Sequence, residues 1–227
     1  MTKCPGMIRL HGETSGPPPG APILIIGNGA TGPGVGAREQ AASWVIRFNN
    51  CAGFEPAAGD RVDELWLVNC GGQMEEWLDE NRMGHPAALR LAKTVTFPVH
   101  PGIAAYYEPI LSPDELVEAA AQDFTWPALR WLRQRDRSCR MLMAGWYRDA
   151  AAALGEKTFR HGMSVPSTGF LALFHAARAH PRSPLTMAGF GFAGWHGHPW
   201  KRERTFCEGL VAQGRLRLAG ADCKTDR

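Results

Sequence analysis

The sequence predicts an α/β domain built around a mostly parallel sheet. Short runs of β-branched and aromatic residues alternate along the chain with longer segments whose apolar residues recur at helical spacing. The chain has 227 residues, which is enough for one sizeable hydrophobic core and leaves little for a second. We therefore expect a single domain over residues 22–220, preceded by a flexible leader over residues 1–21 and followed by a tail over residues 221–227.

The leader is predicted from its composition. It ends in Gly16-Pro-Pro-Pro-Gly20, a run that favours flexible or extended chain. The leader has no apolar segment of signal-peptide length, and no stretch of the sequence has the roughly 20 predominantly apolar residues that a membrane helix requires. The formal charge of +3 is spread along the chain and gives no indication of nucleic acid binding. These features predict a cytoplasmic protein without a transmembrane segment.

Strands and helices are assigned in chain order from periodicity. Strands are predicted where short apolar runs are bounded by glycine, proline or polar residues, at residues 23–27, 44–49, 64–69, 94–99, 140–145 and 185–192. Helices are predicted where apolar residues recur at helical spacing, at residues 73–82, 85–92, 112–122, 126–135 and 167–180. Parallel sheets bind ligands at the carboxyl ends of their strands, which directs attention to residues 27–36, 49–53, 165–169 and 191–200.

The loop after the first predicted strand formally matches a dinucleotide fingerprint. Residues 27–32 read GNGATG, but a proline and two further glycines delay the helix that should follow at once. The second strand ends in Asn49, where a dinucleotide site needs an acidic residue for the ribose. A nicotinamide or flavin site and a glycine turn without ligand both stay open. The amides of Asn28 and Asn49, with nearby backbone N–H groups, favour a sugar nucleotide.

Three segments resemble the motifs of glycosyltransferase family 29, the eukaryotic-type sialyltransferases. The large sialylmotif is matched by Gly27-Asn28, Arg47-Phe48-Asn49, Gly53-Phe54-Glu55 and Gly59-Asp60-Arg61. The small sialylmotif is matched by VPSTGFLALFHAA followed by LTMAGFGF, and the very short His-x4-Glu motif by residues 198–203. The resemblance spans about residues 23–218, and residues 204–218 resemble the family's closing helix and strand. The family's paired cysteines are absent, as a reducing compartment favours.

The resemblance implies a fold and an activity. The fold is a single Rossmann-like domain, a GT-A-like variant of sialyltransferases with helices flanking the sheet. The activity is inverting transfer of a sialic-acid-like sugar, sialic acid or Kdo, from a CMP-activated donor to a hydroxyl of a glycan or lipopolysaccharide-type acceptor. The chain resembles a short bacterial, cytosolic relative of the family. No cofactor and no binding of nucleic acid are expected, and peripheral contact with a membrane stays open. An NAD(P)-binding oxidoreductase and a non-catalytic accessory protein that retains the fold remain alternatives.

The resemblance also assigns roles to individual residues. His198 is the candidate base for the acceptor hydroxyl, His196 contacts the departing phosphate, and Glu203 supports the site. The donor-binding residues are expected to be Gly27, Asn28, Gly29, Asn49, Ser167, Thr168 and Gly169. Ser167 or Thr168 should cap a helix whose free N–H groups face the phosphate. An extended segment around Gly197 would turn both imidazoles to one side, whereas a tight turn there would separate them.

No metal is expected. The six cysteines lie far apart without C-x-x-C spacing, and most are expected to be small buried residues. The chain contains no Asp-x-Asp pair of the kind that metal-using nucleotide-sugar transferases employ. The expected reaction is therefore independent of metal.

The resemblance assigns no role to an arginine-rich segment in the middle of the chain. Five arginines lie between residues 130 and 140, and Arg130 and Arg133 share a helix face by their spacing. A solvated helix face explains them, and docking to an anionic acceptor is the functional alternative. Trp126 and Trp131 belong to the same segment and are suited to stacking on sugars or to packing in the core.

Overall fold

Eight strands form one sheet in the part of the chain that the computed structural model describes, residues 6–32, 34–54, 59–117 and 122–219. They are β1 (Met7–His11), β2 (Ile23–Ile26), β3 (Trp44–Phe48), β4 (Glu64–Trp66), β5 (Thr94–Phe97), β6 (Cys139–Leu142), β7 (Leu185–Ala188) and β8 (Leu216–Ala219). Their order across the sheet is β1-β6-β5-β4-β3-β2-β7-β8. Strand β1 runs antiparallel to β6, and the other neighbours are parallel. The predicted α/β class with a mostly parallel sheet is confirmed.

Helices cover both faces of this sheet. They are α1 (Val35–Ala41), α2 (Gly71–Asp79), α3 (Pro86–Leu91), α4 (Pro113–Val117), α5 (Thr125–Arg133), α6 (Ala144–Ala153), α7 (Thr168–Ala179) and α8 (Trp200–Ala212), with a 3-10 helix at Pro101–Tyr106. One core lies between the sheet and helices α6, α7 and α8. A second lies on the other face under α2, α3 and α5, and a smaller one under α1. Successive residues of β2 enter different cores because side chains alternate along a strand.

The expected leader contributes a strand to the sheet. Residues 7–11 pair with β6 as an edge strand, so this part of residues 1–21 is not a free extended segment. The apolar residues of this strand are only half-buried. An edge strand of this kind has no fully apolar run by which the sequence would mark it. Residues 1–5, Glu55 of the predicted large motif and the expected tail lie outside the described residues.

Two helices were not predicted. The run predicted as a strand over residues 140–145 ends at Leu142, and α6 begins at Ala144. The apolar residues on both sides of this boundary form one continuous run, which hides it from periodicity. Helix α1 is short and begins after Gly34, which adopts a left-handed conformation with φ of 81° and provides no side-chain cap. Both helices therefore lack the start signals that sequence analysis depends on.

A buried ion pair crosses the middle of the sheet. Arg140 Nη2 lies 2.7 Å from Glu64 Oε1, and both side chains are 2% exposed. Trp44 Nε1 donates to Glu64 Oε2 at 3.1 Å. Burial opposes ionisation of Glu64, but the Arg140 guanidinium and these hydrogen bonds prevail and lower the pKa of the carboxyl. The pair ties β4 to β6 across β5, on the face covered by α7.

No helix among the described residues has the length and apolar character needed to cross a membrane.

Candidate functional site

The loops after β2, β3 and β7 meet the start of α7 at the carboxyl edge of the sheet. Phe190 lies at the centre of this region. A Cβ built on Gly27 would lie 3.1 Å from its ring, and one built on Gly169 would lie 2.7 Å from it. The ring centroids of Phe48 and Phe190 are 5.9 Å apart. The fold therefore brings the predicted segments around residues 27, 49 and 169 together, as their positions at strand ends require.

Gly27 and Gly29 do not offer free N–H groups. Their N–H groups donate to the carbonyl oxygens of Ala188 and Gly189, each at 2.8 Å. A Cβ on Gly27 would lie 2.3 Å from the Gly189 oxygen, so only glycine permits this approach. These glycines extend the pairing of β2 with β7, and the expected cradle of N–H groups is absent at both positions.

The two asparagines do present free donors. Asn28 Oδ1 accepts from the Ala52 N–H and Asn49 Oδ1 accepts from the Val68 N–H, both at 2.9 Å. These bonds orient each amide, and neither Nδ2 group hydrogen bonds to a described residue. Asn28 is exposed and Asn49 is half-buried. Both amides can therefore donate to a ligand at this edge.

Ser167 is the N-cap of α7, as predicted. Its Oγ accepts from the Phe170 N–H at 3.1 Å and donates to Glu203 Oε2 at 2.7 Å. Its own N–H donates to Glu203 Oε1 at 2.7 Å. Both donors of Ser167 are therefore used, whereas the N–H groups of Thr168 and Gly169 bond to no described residue. The free donors of this helix end are Thr168 and Gly169.

Glu203 holds α7 to α8 from a buried position. Its side chain lies at the start of α8 and both its oxygens accept from Ser167. Burial raises the pKa of the Glu203 carboxyl, and the two hydrogen bonds from Ser167 oppose this shift. Its contacts join the start of α8 to the N-cap of α7.

His198 has the geometry of a base with a defined tautomer. Its Nδ1 lies 2.8 Å from the Val165 carbonyl oxygen. Because a carbonyl oxygen only accepts, Nδ1 carries the proton and the neutral ring leaves Nε2 with a free lone pair. Burial lowers the pKa of His198, and the bond to Val165 opposes that shift. The rings of Trp195 and Trp200 stand edge-on to the imidazole at centroid distances of 4.9 and 5.0 Å.

His196 and His198 lie on a tight turn and both contact Trp195. The His198 N–H donates to the Trp195 carbonyl at 3.2 Å, which closes a tight turn over residues 195–198. A Cβ on Gly197 would lie 2.1 Å from the exposed Trp195 ring, so a side chain there would have to displace that ring. The His196 side chain is exposed, and its ring contacts Trp195 at a centroid distance of 5.6 Å. The segment forms the turn rather than the extended loop that would present both imidazoles together.

Two residues at this edge of the sheet were not singled out from the sequence. Phe190 was part of a matched motif but was not singled out, although it lies against Gly27, the end of β3 and the start of α7. Asn69 is buried, and its amide exchanges two hydrogen bonds with the Val99 backbone at 2.7 and 3.0 Å. Asn69 follows an apolar run just as Asn49 does, and that position is the signal that could have found it.

Among the described residues, histidines, cysteines and acidic residues form no group of three or more that could hold a metal ion. Cys51, Cys139 and Cys207 are buried, as expected, and burial raises the pKa of the Cys51 and Cys207 thiols to about 12. Cys70 is partly buried, and burial likewise raises its pKa to about 12. Cys4 and Cys223 lie outside the described residues.

Comparison with solved structures shows the fold. A mammalian sialyltransferase crystal structure superimposes with a TM-score of 0.58, at 13% identity, over 88% of this chain and 70% of that chain. A mammalian sialyltransferase in complex with Gal-beta-1-3GalNAc-ortho-nitrophenol gives a TM-score of 0.54 at 14% identity, with the same coverage. The chain therefore has a sialyltransferase-like fold, and the fold expected from the motifs is confirmed. Identities this low show the fold alone.

Comparison of sequences identifies the family. No family model matches the chain. The urease operon 23 kDa accessory protein of Rhizobium meliloti is 30% identical over 205 residues, which cover 87% of this chain and 92% of that protein. Because the two chains align over nearly their full lengths at this identity, the protein belongs to the family of the urease operon 23 kDa accessory protein.

Proposed function

We propose that the protein is a metal-independent glycosyltransferase that moves a sialic-acid-like sugar from a CMP-activated donor to a glycan hydroxyl, with inversion. The observation that carries this proposal is His198. Its Nδ1 is held by the Val165 carbonyl, two residues before the N-cap of α7, so that Nε2 is available as a base. A base beside a helix end with free N–H groups is the pairing that transfer from a sugar phosphate requires.

The chemical step uses both parts of this pairing. The acceptor hydroxyl gives its proton to His198 Nε2 as its oxygen bonds to the anomeric carbon. The bond from that carbon to the CMP phosphate oxygen breaks, and its electron pair leaves with the phosphate. The N–H groups of Thr168 and Gly169, at the positive end of the twelve-residue helix α7, stabilise that charge.

Donor binding is proposed for the amides at the strand ends. Asn28 and Asn49 each keep an Nδ2 donor for the nucleotide, since their oxygens are bound to Ala52 and Val68. His196 is proposed to contact the departing phosphate through its exposed side chain. Gly27, Gly29 and Ser167 shape the pocket, because their donors are already satisfied.

The test is a binding measurement followed by a turnover assay. Binding to the native state raises the melting temperature, so CMP should stabilise the protein and NADPH should not. CMP-sialic acid and CMP-Kdo are then assayed for release of CMP, with and without a lipopolysaccharide-type acceptor and with chelator present. Stabilisation by NADPH alone would favour the oxidoreductase alternative, although the occupied N–H groups of Gly27 and Gly29 disfavour a pyrophosphate there.

A second candidate is a non-catalytic accessory role. The observation that favours it is the relative from Rhizobium meliloti, which carries the name of an accessory protein encoded in a urease operon. In this case the pocket is a remnant of the fold and the protein acts through a partner. Absence of CMP binding and of turnover with either CMP-sugar, together with formation of a stoichiometric complex with a purified urease component, would favour it.

A further inference from the structure

The arginine run between residues 130 and 140 divides into two groups. Three of its members are engaged. Arg135 stacks on Trp131 with its guanidinium carbon 3.6 Å from the ring centroid, Arg137 donates to the Ala92 carbonyl, and Arg140 pairs with Glu64. Arg130 and Arg133 make no ion pair or hydrogen bond with any described residue. These two guanidinium groups are free to bind another molecule.

The free arginines lie on one stripe of α5 together with an exposed tryptophan. Trp126, Arg130 and Arg133 are spaced i, i+4 and i+7, so they share a helix face. The opposite face of α5 is buried in the core through Ala128 and Leu132. Trp126 is 64% exposed, although burial of so large a ring in the core would be favourable. The stripe therefore combines an unburied aromatic ring with two unpaired positive charges.

This stripe forms one wall of a groove. The groove has a volume of about 550 Å³ and is lined by His11, Trp126, Leu129, Arg130, Arg133 and Gln134. None of these residues is acidic. The opposite wall is His11, at the end of edge strand β1, whose buried Nε2 has no hydrogen-bond partner. An unsatisfied buried nitrogen is costly and is relieved when a partner supplies the missing group.

The groove is separate from the candidate active site. Strand β1 lies five strand positions from β2, which is roughly 24 Å at about 4.8 Å per strand. A small acceptor bound in the groove would not reach His198. Tryptophan and arginine are the residue types most enriched at the energetic centres of protein interfaces. A partner protein is therefore the occupant that the position and composition of the groove favour.

We infer that the groove between α5 and β1 is a docking site for an acidic segment of a partner protein. Carboxylates of the segment pair with Arg130 and Arg133, and an apolar side chain of the segment packs on Trp126. The inference does not depend on the transferase activity proposed above.

The test uses the full chain and a defined probe. The probe is a short labelled peptide with Glu and Leu at helical spacing, and its binding is measured by fluorescence anisotropy at two salt concentrations. We expect binding that weakens at high salt and falls by roughly tenfold in Arg130→Glu, Arg133→Glu and Trp126→Ala, the size typical of interface hot spots. All three residues face away from the core, so circular dichroism should show folded variants.

The controls separate this site from general attraction between charges. Arg90→Glu, an exposed arginine of α3 with no partner among the described residues, changes the net charge by the same amount and should bind the peptide as wild type does. A peptide with Lys in place of Glu should not bind. Absence of peptide binding, or equal losses in Arg90→Glu and Arg130→Glu, would overturn the inference. So would binding of anionic vesicles or duplex DNA as tight as that of the peptide.

Discussion

His198 is the residue on which the proposed activity depends most directly. His198→Ala should lower turnover by roughly 100-fold or more while CMP binding stays near wild type, because a general base acts mainly in the transition state. His198→Asn is the matched variant, since its amide N–H can still donate to Val165 but provides no base. Both should lose turnover alike, as measured by CMP release. Retained activity in His198→Asn would show that the imidazole acts only by holding the Val165 loop.

His196 should behave differently at the same scale. It is exposed and makes no hydrogen bond with a described residue, so His196→Ala should leave CMP release much less impaired than His198→Ala. If it contacts the phosphate, the variant should also bind CMP more weakly, because part of that contact exists in the ground state. Calorimetry with CMP measures this. A loss of turnover larger than that of His198→Ala would exchange the two roles.

The lowered pKa of His198 sets the acid limb of the rate profile. Burial shifts this pKa below the ordinary value of 6.5, so the imidazole stays neutral to a lower pH than a free histidine. We expect kcat/KM to fall with decreasing pH only below about 6.5. Trp195→Ala removes one of the rings that exclude water, and its acid limb should move to higher pH. A wild-type limb well above 6.5 would contradict the assignment of His198 as the base.

At the scale of elements, the junction of β2 and β7 depends on a glycine. A Cβ on Gly27 would lie 2.3 Å from the Gly189 carbonyl oxygen, a backbone atom that cannot rotate away. Gly27→Ala should therefore destabilise the fold by about 1–3 kcal/mol or more, the range found for overpacked sites. Urea unfolding measures this free energy. Weakened CMP binding should accompany it, since Gly27 leads into the Asn28 loop.

Gly36 is the matched control within the same loop and helix segment. It lies in α1, and a Cβ built on it meets nothing within 4 Å. Gly36→Ala should stabilise the protein by roughly 0.5–1 kcal/mol, because alanine loses less backbone entropy in a helix. Equal destabilisation by Gly27→Ala and Gly36→Ala would show that close approach to β7 is not the reason for the glycine.

For the molecule as a whole, the Glu64–Arg140 pair links stability to pH. The pKa of Glu64 is lowered in the folded state from its ordinary value of 4.5. Its contribution to stability is therefore present above about pH 4.5 and is lost as the pH falls through the folded-state pKa. Arg140→Met leaves a buried carboxylate unpaired and should cost about 3–5 kcal/mol at neutral pH. Urea unfolding at neutral and acid pH measures both effects.

An exposed pair gives the comparison. Arg82 Nη2 lies 3.1 Å from Glu76 Oε1, and the Arg82 and Glu76 side chains are 37% and 60% exposed. Breaking this pair with Glu76→Gln should change the free energy of unfolding by less than about 1 kcal/mol. The double variant Glu64→Met with Arg140→Met should recover much of the loss and remove this part of the acid sensitivity. A similar acid sensitivity in the double variant would assign it to other carboxylates.

The local sequence was sufficient to predict the class of fold and the edge of the sheet at which the candidate site lies. Periodicity identified β2, β3, β4, β5 and β7, and the residues at their ends lie at one edge because parallel strands end there together. It missed β1, α1 and α6, and the closing elements α8 and β8 were expected only from the resemblance. Strand β1 is a half-buried edge strand, and α6 follows β6 within one apolar run, so neither boundary is marked in the local pattern.

What the sequence by itself determined is which residues reach the carboxyl edge of the sheet. Motif spacing placed Asn28, Asn49 and His198 at the carboxyl edge of the sheet, because turn residues and strand lengths depend on neighbours along the chain. The tertiary structure alone decided which of their groups remain available. Ala188 and Gly189 occupy the N–H groups of Gly27 and Gly29, Glu203 occupies both donors of Ser167, and Val165 sets the tautomer of His198. These partners come from distant parts of the chain, and a hydrogen bond between distant groups depends on how the elements pack, which no local pattern encodes.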